Sequence, residues 1–94
     1  MPPEDGLTGF QQSVVDVVAA LGPGDVVTYG EVAMEAGAPG AAQAVANTLR
    51  RVPGLAWWRV VPSGGRLYRT HAPVQGQLLE AEGVHVDEHR RVHP

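Results

Sequence analysis

Apolar residues recur at helical spacing in several stretches of this 94-residue chain. In the first stretch, Val14 and Val18 lie on one face behind the capping-box pattern Thr8-Gly9-Phe10-Gln11, in which Thr8 is the N-cap. This pattern predicts a core helix over residues 9–21. A glycine and proline cluster follows directly, which is typical of a helix end.

A second capping box, Thr28-Tyr29-Gly30-Glu31, predicts a short helix that ends at Gly37. Pro39 suits the first position of a third helix, which we expect to run to about Val52. Two helices joined by a short turn that contains glycine form the outline of a helix-turn-helix. The central part of the chain therefore predicts a DNA-binding module.

The third predicted helix would carry small and basic side chains on its exposed side. Val45, Leu49 and Val52 form its apolar stripe. The residues left outward are Gly40, Gln43, Ala44, Asn47, Arg50 and Arg51. Small side chains allow a helix to approach a groove closely, and arginines can reach phosphates. Alanine is also the best helix former, so an alanine-rich helix without any DNA-binding role stays open at this point.

The second half of the chain predicts a β-hairpin followed by one more helix. The hairpin would consist of residues 58–62, a turn over residues 63–66, and a return at Leu67 and Tyr68. Pro73 starts the last helix and Gly83 ends it. We expect a single domain over residues 1–94, mainly α with a small β-hairpin, in which residues 1–7 and 86–94 fray.

Composition excludes several classes of function. The longest apolar runs are too short to span a membrane, and the first five residues are acidic and proline-rich, unlike a secretory signal. These features predict a cytoplasmic protein, and the lysine-free composition suggests a bacterial source. The absence of cysteine excludes disulfides, thiolate metal ligands and a cysteine nucleophile.

Basic residues are concentrated in one part of an acidic chain. The net charge is -3, yet Arg50, Arg51, Arg59, Arg66 and Arg69 follow one another with no acidic residue between them. Such a cluster is the pattern expected where phosphates are bound. A solvated basic loop is the alternative, and the sequence alone does not decide between them.

Histidines near the end of the chain have a spacing that needs a separate interpretation. His85, His89 and His93 would share a face only if their segment were helical. The segment has no apolar stripe that would hold it as a helix, so we predict no metal site. No serine has evident histidine and aspartate partners, and no glycine-rich phosphate loop is present, so no cofactor is expected either.

Motifs along nearly the whole chain resemble a known protein family. The blocks are Phe10-Gln11, Val27-Thr28-Tyr29-Gly30-Glu31-Val32-Ala33, Gly37-Ala38-Pro39-Gly40-Ala41-Ala42-Gln43-Ala44-Val45, Arg59-Val60-Val61-Pro62-Ser63-Gly64-Gly65 and Leu78-Leu79-Glu80-Ala81-Glu82-Gly83-Val84. In this order they are similar to the C-terminal DNA-binding domain of O6-alkylguanine-DNA alkyltransferases. The resemblance implies a winged-helix-like domain whose helix-turn-helix enters the minor groove and flips the damaged guanine.

The resemblance also implies that this chain is not a transferase. The family passes the alkyl group to the cysteine of a Pro-Cys-His-Arg motif, which aligns here with Ala56-Trp57-Trp58-Arg59. Trp57 replaces the acceptor cysteine and Trp58 the activating histidine, whereas alkyl transfer needs a thiolate made by a neighbouring base. The chain thus resembles the alkyltransferase-like proteins, a non-enzymatic branch that binds O6-alkylguanine and presents it to nucleotide excision repair.

Site residues follow from the resemblance, position by position. Tyr29 matches the tyrosine that rotates the target phosphate, and Gln43 stands where the family has an inserted arginine. The implied DNA-binding residues are Tyr29, Ala42, Gln43, Ala44, Asn47, Arg50 and Arg51. The implied lesion pocket consists of Tyr29, Trp57, Arg59, Val60 and Tyr68. The partners would be double-stranded DNA with O6-alkylguanine and nucleotide excision repair proteins, for a monomer associated with the bacterial nucleoid.

Two other functions remain open from the sequence. One is a helix-turn-helix module that binds undamaged DNA for regulation. The other is a protein-interaction domain that has lost DNA binding, which the acidic net charge and the uncharged Gln43 favour.

Overall fold

The structure, a computed structural model, describes residues 6–93 and is mainly helical, as predicted. Its α-helices are α1 (Gly9–Ala19), α2 (Tyr29–Glu35), α3 (Ala42–Arg51) and α4 (Ala72–Ala81). Its short strands are β1 (Val27–Thr28), β2 (Val60–Val61), β3 (His85–Val86) and β4 (Val92–His93), and a single turn of 3₁₀ helix covers Trp57–Arg59. None of the helices in the described residues is long and apolar enough to cross a membrane.

Both predicted capping boxes are confirmed. The Thr8 hydroxyl accepts a hydrogen bond from the Gln11 backbone N–H, and the Gln11 side chain accepts one from the Thr8 N–H, each at 3.0 Å. Thr28 and Glu31 make the same pair at the start of α2, at 3.0 and 2.7 Å. Because these contacts satisfy N–H groups that a helix leaves free, they fix where α1 and α2 begin.

The predicted start of α3 at Pro39 is wrong. The helix begins at Ala42, after a turn in which Gly40 has a φ of 88°. A residue with that φ lies outside the right-handed helical region, so the helix cannot include it. α3 therefore begins two residues after Gly40. α2 and α3 pack against each other across this turn as the two helices of the helix-turn-helix.

The core consists of two clusters that meet at β2. The first joins α1, α2 and α3 through Val14, Val18, Val32, Ala33 and Val45, together with Val60. The second joins α4 to the end of the chain through Leu67, Leu79, Val84 and Val92, together with Val61. Successive side chains of a strand point to opposite faces. Adjacent residues of β2 thus each enter a different cluster.

The predicted hairpin between residues 58–62 and 67–68 is wrong. β2 pairs instead with β1, in parallel, with Val27 opposite Val60. The turn after β2 forms, but the segment that follows it pairs with residues 90–92. The Leu67 N–H donates to the Arg90 carbonyl at 2.8 Å, and the Val92 N–H donates to the Gly65 carbonyl at 2.9 Å. Gly65 has a φ of 80°, and a Cβ there would lie 3.2 Å from a Val92 methyl. The close approach of the two segments thus favours glycine.

The expected fraying of residues 86–94 is wrong for residues 86–93. β3 and β4 form an antiparallel hairpin, with Val86 opposite Val92. The Asp87 carboxylate closes it by accepting hydrogen bonds from the backbone N–H groups of His89 and Arg91 and by pairing with the His93 ring at 2.9 Å. The expected tails also included residues 1–5 and 94, which lie outside the described residues.

The buried end of the chain leads to a stability prediction. Val92 is only 8% exposed in the second cluster, so Val92→Ala should lower the free energy of unfolding by about 1–3 kcal/mol, through lost burial and a residual cavity. His89→Ala, at an exposed position of the same hairpin, should change it by less than about 0.5 kcal/mol. Urea unfolding followed by tryptophan fluorescence measures both variants. Equal effects would contradict the packing role of Val92.

Candidate nucleic-acid interface

A cavity of about 460 Å³ opens between the exposed side of α3 and the segment that follows the 3₁₀ turn. It is lined by Tyr29, Gln43, Ala46, Leu49, Arg50, Trp57, Tyr68 and His71. Half of the residues that line the cavity lie on α3, and the other half have aromatic side chains. Its volume lies within the range typical of pockets that hold small molecules.

Aromatic rings line one side of the cavity as a continuous chain. Tyr29 and Tyr68 stack with ring centroids 6.3 Å apart. His71 meets Tyr68 edge to face at 5.7 Å and Trp57 edge to face at 5.8 Å. These separations are typical of favourable aromatic pairs. The resulting surface suits a flat aromatic ligand.

The α3 side of the cavity is polar. The Gln43 side-chain amide donates a hydrogen bond to the side-chain Oδ1 of Asn47 at 3.3 Å, and the Arg50 guanidinium donates to the same Oδ1. These three residues lie one helical turn apart on the exposed face of α3. Asn47 therefore holds Gln43 and Arg50 along one line at the cavity edge.

The Tyr29 hydroxyl stays protonated at neutral pH. Burial raises its pKa above the ordinary value, the neighbouring Tyr68 raises it further, and the positive charge of Arg50 lowers it in part. A protonated phenol is a hydrogen-bond donor. Tyr29 can thus donate to an anionic group at the mouth of the cavity, beside the arginine.

Two of the five predicted pocket residues do not line the cavity. Tyr29, Trp57 and Tyr68 are brought together there. Val60 is fully buried in the first core cluster, and the Arg59 guanidinium is bound to Glu82 on the far side of the 3₁₀ turn. Among the predicted DNA-binding residues on α3, Gln43 and Arg50 reach the cavity and Arg51 is exposed, while Ala42 and Ala44 are half-buried.

Arg59 and Glu82 form an ion pair with two hydrogen bonds, at 3.0 and 2.7 Å. Their side chains are only 12% and 13% exposed. Arg59 also donates to the Leu21 carbonyl, and Glu82 accepts from the Gly24 backbone N–H, each at 3.0 Å. The cluster of five arginines predicted from the sequence therefore contributes only four to the surface, because Arg59 is already paired.

The pKa values of the pair are shifted in opposite directions. The hydrogen bond from Arg59, helped by the Gly24 N–H and the Trp58 indole N–H, lowers the pKa of Glu82 to about 2. The hydrogen bond to Glu82 raises the pKa of Arg59. Both groups are therefore charged throughout the physiological range.

Trp57 and Trp58 have different surroundings. The pair lies in the 3₁₀ turn and not in a strand, with the two rings nearly perpendicular at 86°. Trp57 lines the cavity, whereas the Trp58 indole donates to Glu82 at 2.9 Å and packs against the second core cluster. The Arg59 guanidinium lies 5.4 Å from the centre of the Trp58 ring, within the range of a cation–π contact.

The sequence interpretation missed several residues that build this region. Gln75 is buried on α4 and its amide donates to the carbonyls of Trp58 and Val60, each at 3.1 Å, which attaches the 3₁₀ turn to that helix. Its position four residues before Leu79 marked it as a polar residue on an apolar helix face. His71 and the Glu82 pairing carried no comparable signal.

The C-terminal histidines are engaged with one another and with Asp87. The rings of His85 and His93 lie 5.6 Å apart, and His93 pairs with Asp87. Within residues 6–93, no three histidine, cysteine, aspartate or glutamate side chains are grouped in a way that would hold a metal ion.

The family follows from a comparison with known domains. Residues 9–84 match the family described as 6-O-methylguanine DNA methyltransferase, DNA binding domain. The chain belongs to this family. The match includes the helix-turn-helix, the 3₁₀ turn and α4, and it leaves out the β3–β4 hairpin.

Relatives within the family have different names. The chain is 45% identical over 82 residues to a DNA base-flipping protein of Escherichia coli K12, covering 82% of this chain and 64% of that protein. The chain thus spans less than two thirds of that relative. It is also 36% identical over 87 residues to the methylated-DNA–protein-cysteine methyltransferase of Methanothermobacter thermautotrophicus, covering 87% of this chain and 48% of that protein.

A solved structure of the same fold contains DNA. The fold superimposes with a TM-score of 0.76 on S. pombe Atl1 in complex with damaged DNA that contains O6-carboxymethylguanine. The two proteins are 30% identical, and the match covers 93% of this chain and 83% of Atl1. The predicted fold class and the resemblance to alkyltransferase-like proteins are confirmed, and the comparisons support a DNA-binding role of that type.

The Arg59–Glu82 pair leads to a pH prediction. Because the pKa of Glu82 is lowered from 4.5 to about 2 by folding, its ionised form stabilises the native state above about pH 4.5. That stabilisation should decrease as the pH falls below 4.5 and vanish near pH 2. Glu82→Gln should therefore be less stable than the unsubstituted protein at pH 7, with a difference that shrinks in acid.

Urea unfolding of both proteins from pH 7 down to pH 3 measures this difference, because this series starts above the unfolded pKa of 4.5 and ends between the two pKa values of Glu82. The pKa of Asp87 is also lowered, mainly by the hydrogen bond from His93, but Asp87 is present in both proteins and its effect cancels. A stability difference that stays constant across this range would contradict the role of the Glu82 charge.

Proposed function

We propose that this protein binds double-stranded DNA through α2 and α3 and holds a flipped O6-alkylguanine in the aromatic cavity, without transferring the alkyl group. The observation that carries the proposal is the position of the cavity. It lies directly beside the exposed face of the helix-turn-helix and is walled by Tyr29, Tyr68 and Trp57. A base that leaves a duplex docked on α3 has only a short path into it.

The DNA contacts in this proposal come from α3 and the start of α2. Ala42 and Ala44 leave room for close approach to the minor groove, and Arg50 and Arg51 lie in the last turn of α3, where they can reach phosphates. Tyr29 supplies a neutral hydroxyl at the cavity mouth that can donate to the phosphate of the flipped nucleotide. Gln43 and Asn47 face the same side.

The energy of flipping favours an alkylated base. Unstacking and unpairing a base costs a few kcal/mol, and stacking on an aromatic side chain recovers roughly 1–3 kcal/mol. An O6-alkylguanine pairs poorly with cytosine, so it leaves the duplex at lower cost than guanine. The aromatic side of the cavity would then hold the purine, and the remaining volume would hold the alkyl group.

Chemistry argues against alkyl transfer. The family motif aligns Trp57 with the acceptor position, and the chain contains no cysteine. An indole has no counterpart to a thiolate, and Trp58 is occupied by its hydrogen bond to Glu82 and is not a base. Trp57 would thus bind the lesion and leave it intact. Another system would then remove the lesion, and nucleotide excision repair proteins are the partners in this proposal. The protein would act as a monomer associated with the nucleoid.

Gln43 sets the strength of flipping in this proposal. The resemblance places an inserted arginine at this position, where it fills the gap left by the flipped base. Glutamine can hydrogen-bond to the orphaned cytosine, but it lacks the charge and the flat stacking surface of arginine. Its contact with Asn47 holds it at the edge of the cavity, so it is placed to act with reduced effect.

The test is a fluorescence titration with two duplexes that differ only by one O6-methylguanine. We expect the duplex with the lesion to bind at least several-fold more tightly, with a tryptophan signal that changes as the base stacks on Trp57. Equal binding of both duplexes would favour a module for undamaged DNA. No binding at low salt would favour a protein-interaction domain, and either result would overturn lesion recognition.

Substitutions at the cavity should affect lesion binding more than stability. Tyr29→Ala and Trp57→Ala each remove an aromatic wall of the cavity, so each should weaken binding of the lesion by about five- to a hundredfold, the equivalent of roughly 1–3 kcal/mol. Val74→Ala is the matched control, because Val74 is 57% exposed on α4 and does not line the cavity. Equal losses of affinity for both duplexes, in proportion to lost stability, would show that these residues only pack.

A further inference from the structure

His71 is the histidine on the aromatic side of the cavity. Its ring lies between those of Tyr68 and Trp57, at 5.7 and 5.8 Å from their centres. It stands at the N-cap position of α4, but its side chain makes no capping hydrogen bond. Its contacts in the cavity are thus made by the faces and edges of rings, and its Nδ1 atom makes no hydrogen bond within the described residues.

The Nδ1 atom of His71 is buried and has no hydrogen-bond partner among residues 6–93. A buried polar atom without a partner is unfavourable, and such atoms in native proteins usually have a reason. No hydrogen bond within this part of the chain fixes the orientation of the ring. A rotation of 180° about the Cβ–Cγ bond, which exchanges the two sides of the imidazole, would therefore break no hydrogen bond. A ligand in the cavity could therefore supply the missing partner.

The edge of the base differs between guanine and its O6-alkyl derivative. Guanine carries a hydrogen on N1 and is a donor there. O6-alkylation removes that hydrogen, so N1 becomes an acceptor. An imidazole always has at least one N–H, whichever tautomer is present. A donor in the cavity wall that meets N1 would thus match the alkylated base and would meet another donor in normal guanine.

We propose that His71 is a specificity-determining residue that donates a ring N–H hydrogen bond to N1 of the flipped O6-alkylguanine. The inference rests on the proposed function, since it requires the base to enter the cavity. The other polar groups on the cavity wall are the Tyr29 and Tyr68 hydroxyls, the Trp57 indole N–H, Gln43 and Arg50. Of these, Gln43 and Arg50 are tied to Asn47 on the α3 side, and the proposed function assigns the Tyr29 hydroxyl to the phosphate. His71 is distinguished by a buried nitrogen without a partner among the described residues and by its edge-to-face contacts with both Tyr68 and Trp57.

The test changes one atom of the base and one side chain of the protein. Duplexes with O6-methylguanine, with its 1-deaza analogue, in which N1 is replaced by C–H, and with guanine are titrated against the unsubstituted protein and His71→Phe. The unsubstituted protein should bind the 1-deaza analogue roughly three- to tenfold more weakly than O6-methylguanine, the loss expected for one hydrogen bond. His71→Phe keeps a ring against Trp57 and Tyr68, and it should bind both modified duplexes alike.

The outcomes separate the inference from the proposed function. Preference for O6-methylguanine over guanine, with equal binding of the 1-deaza analogue, would overturn the role of His71 and leave lesion recognition intact. Lack of any preference over guanine would overturn both. Thermal unfolding checks that His71→Phe is folded. If it is not, His71→Gln, which retains a donor, should keep a measurable difference between the analogues, and loss of that difference would count against the proposal.

Discussion

The ion pair between Arg59 and Glu82 is the interaction on which the rest of the site depends. It connects three parts of the chain: Arg59 also holds the Leu21 carbonyl after α1, and Glu82 also holds the Gly24 N–H and the Trp58 indole. Both partners are largely buried, and breaking such a pair leaves a charge without compensation. The 3₁₀ turn is thus clamped between the end of α1 and the end of α4.

The Arg59–Glu82 pair places the two tryptophans in different surroundings. Because Trp58 is held by Glu82 and the two indoles are nearly perpendicular, Trp57 faces the cavity. The same clamp keeps Arg59 paired and largely buried, so in the proposed mode of binding the phosphate contacts fall mainly to Arg50 and Arg51 on α3. Few phosphate contacts imply a weak dependence of affinity on salt, which is consistent with the negative net charge and with the proposal that a base is recognised more than the backbone.

Local features of the fold were predictable from the sequence, and contacts between distant segments were not. The capping boxes at Thr8 and Thr28 involve residues three positions apart, so their pattern is visible in the chain. The delay of α3 came from Gly40, whose φ is set by the turn. The pairing of Val60 with Val27, and the burial of Val92 in an otherwise polar tail, depend on segments that meet only in the folded protein.

The candidate site shows the same division at the level of side chains. The family resemblance named Tyr29, Trp57 and Tyr68 in advance, and large aromatic residues keep one physical character wherever they lie. The role of a charged residue depends on its partners. Arg59 was expected to bind phosphate, but it is paired with Glu82, which lies 23 residues later in the sequence. His71 shows the converse, since only the folded structure leaves its ring between two others with a nitrogen unpaired. The function of a polar side chain is set by its partners, and in this protein those partners are distant in sequence.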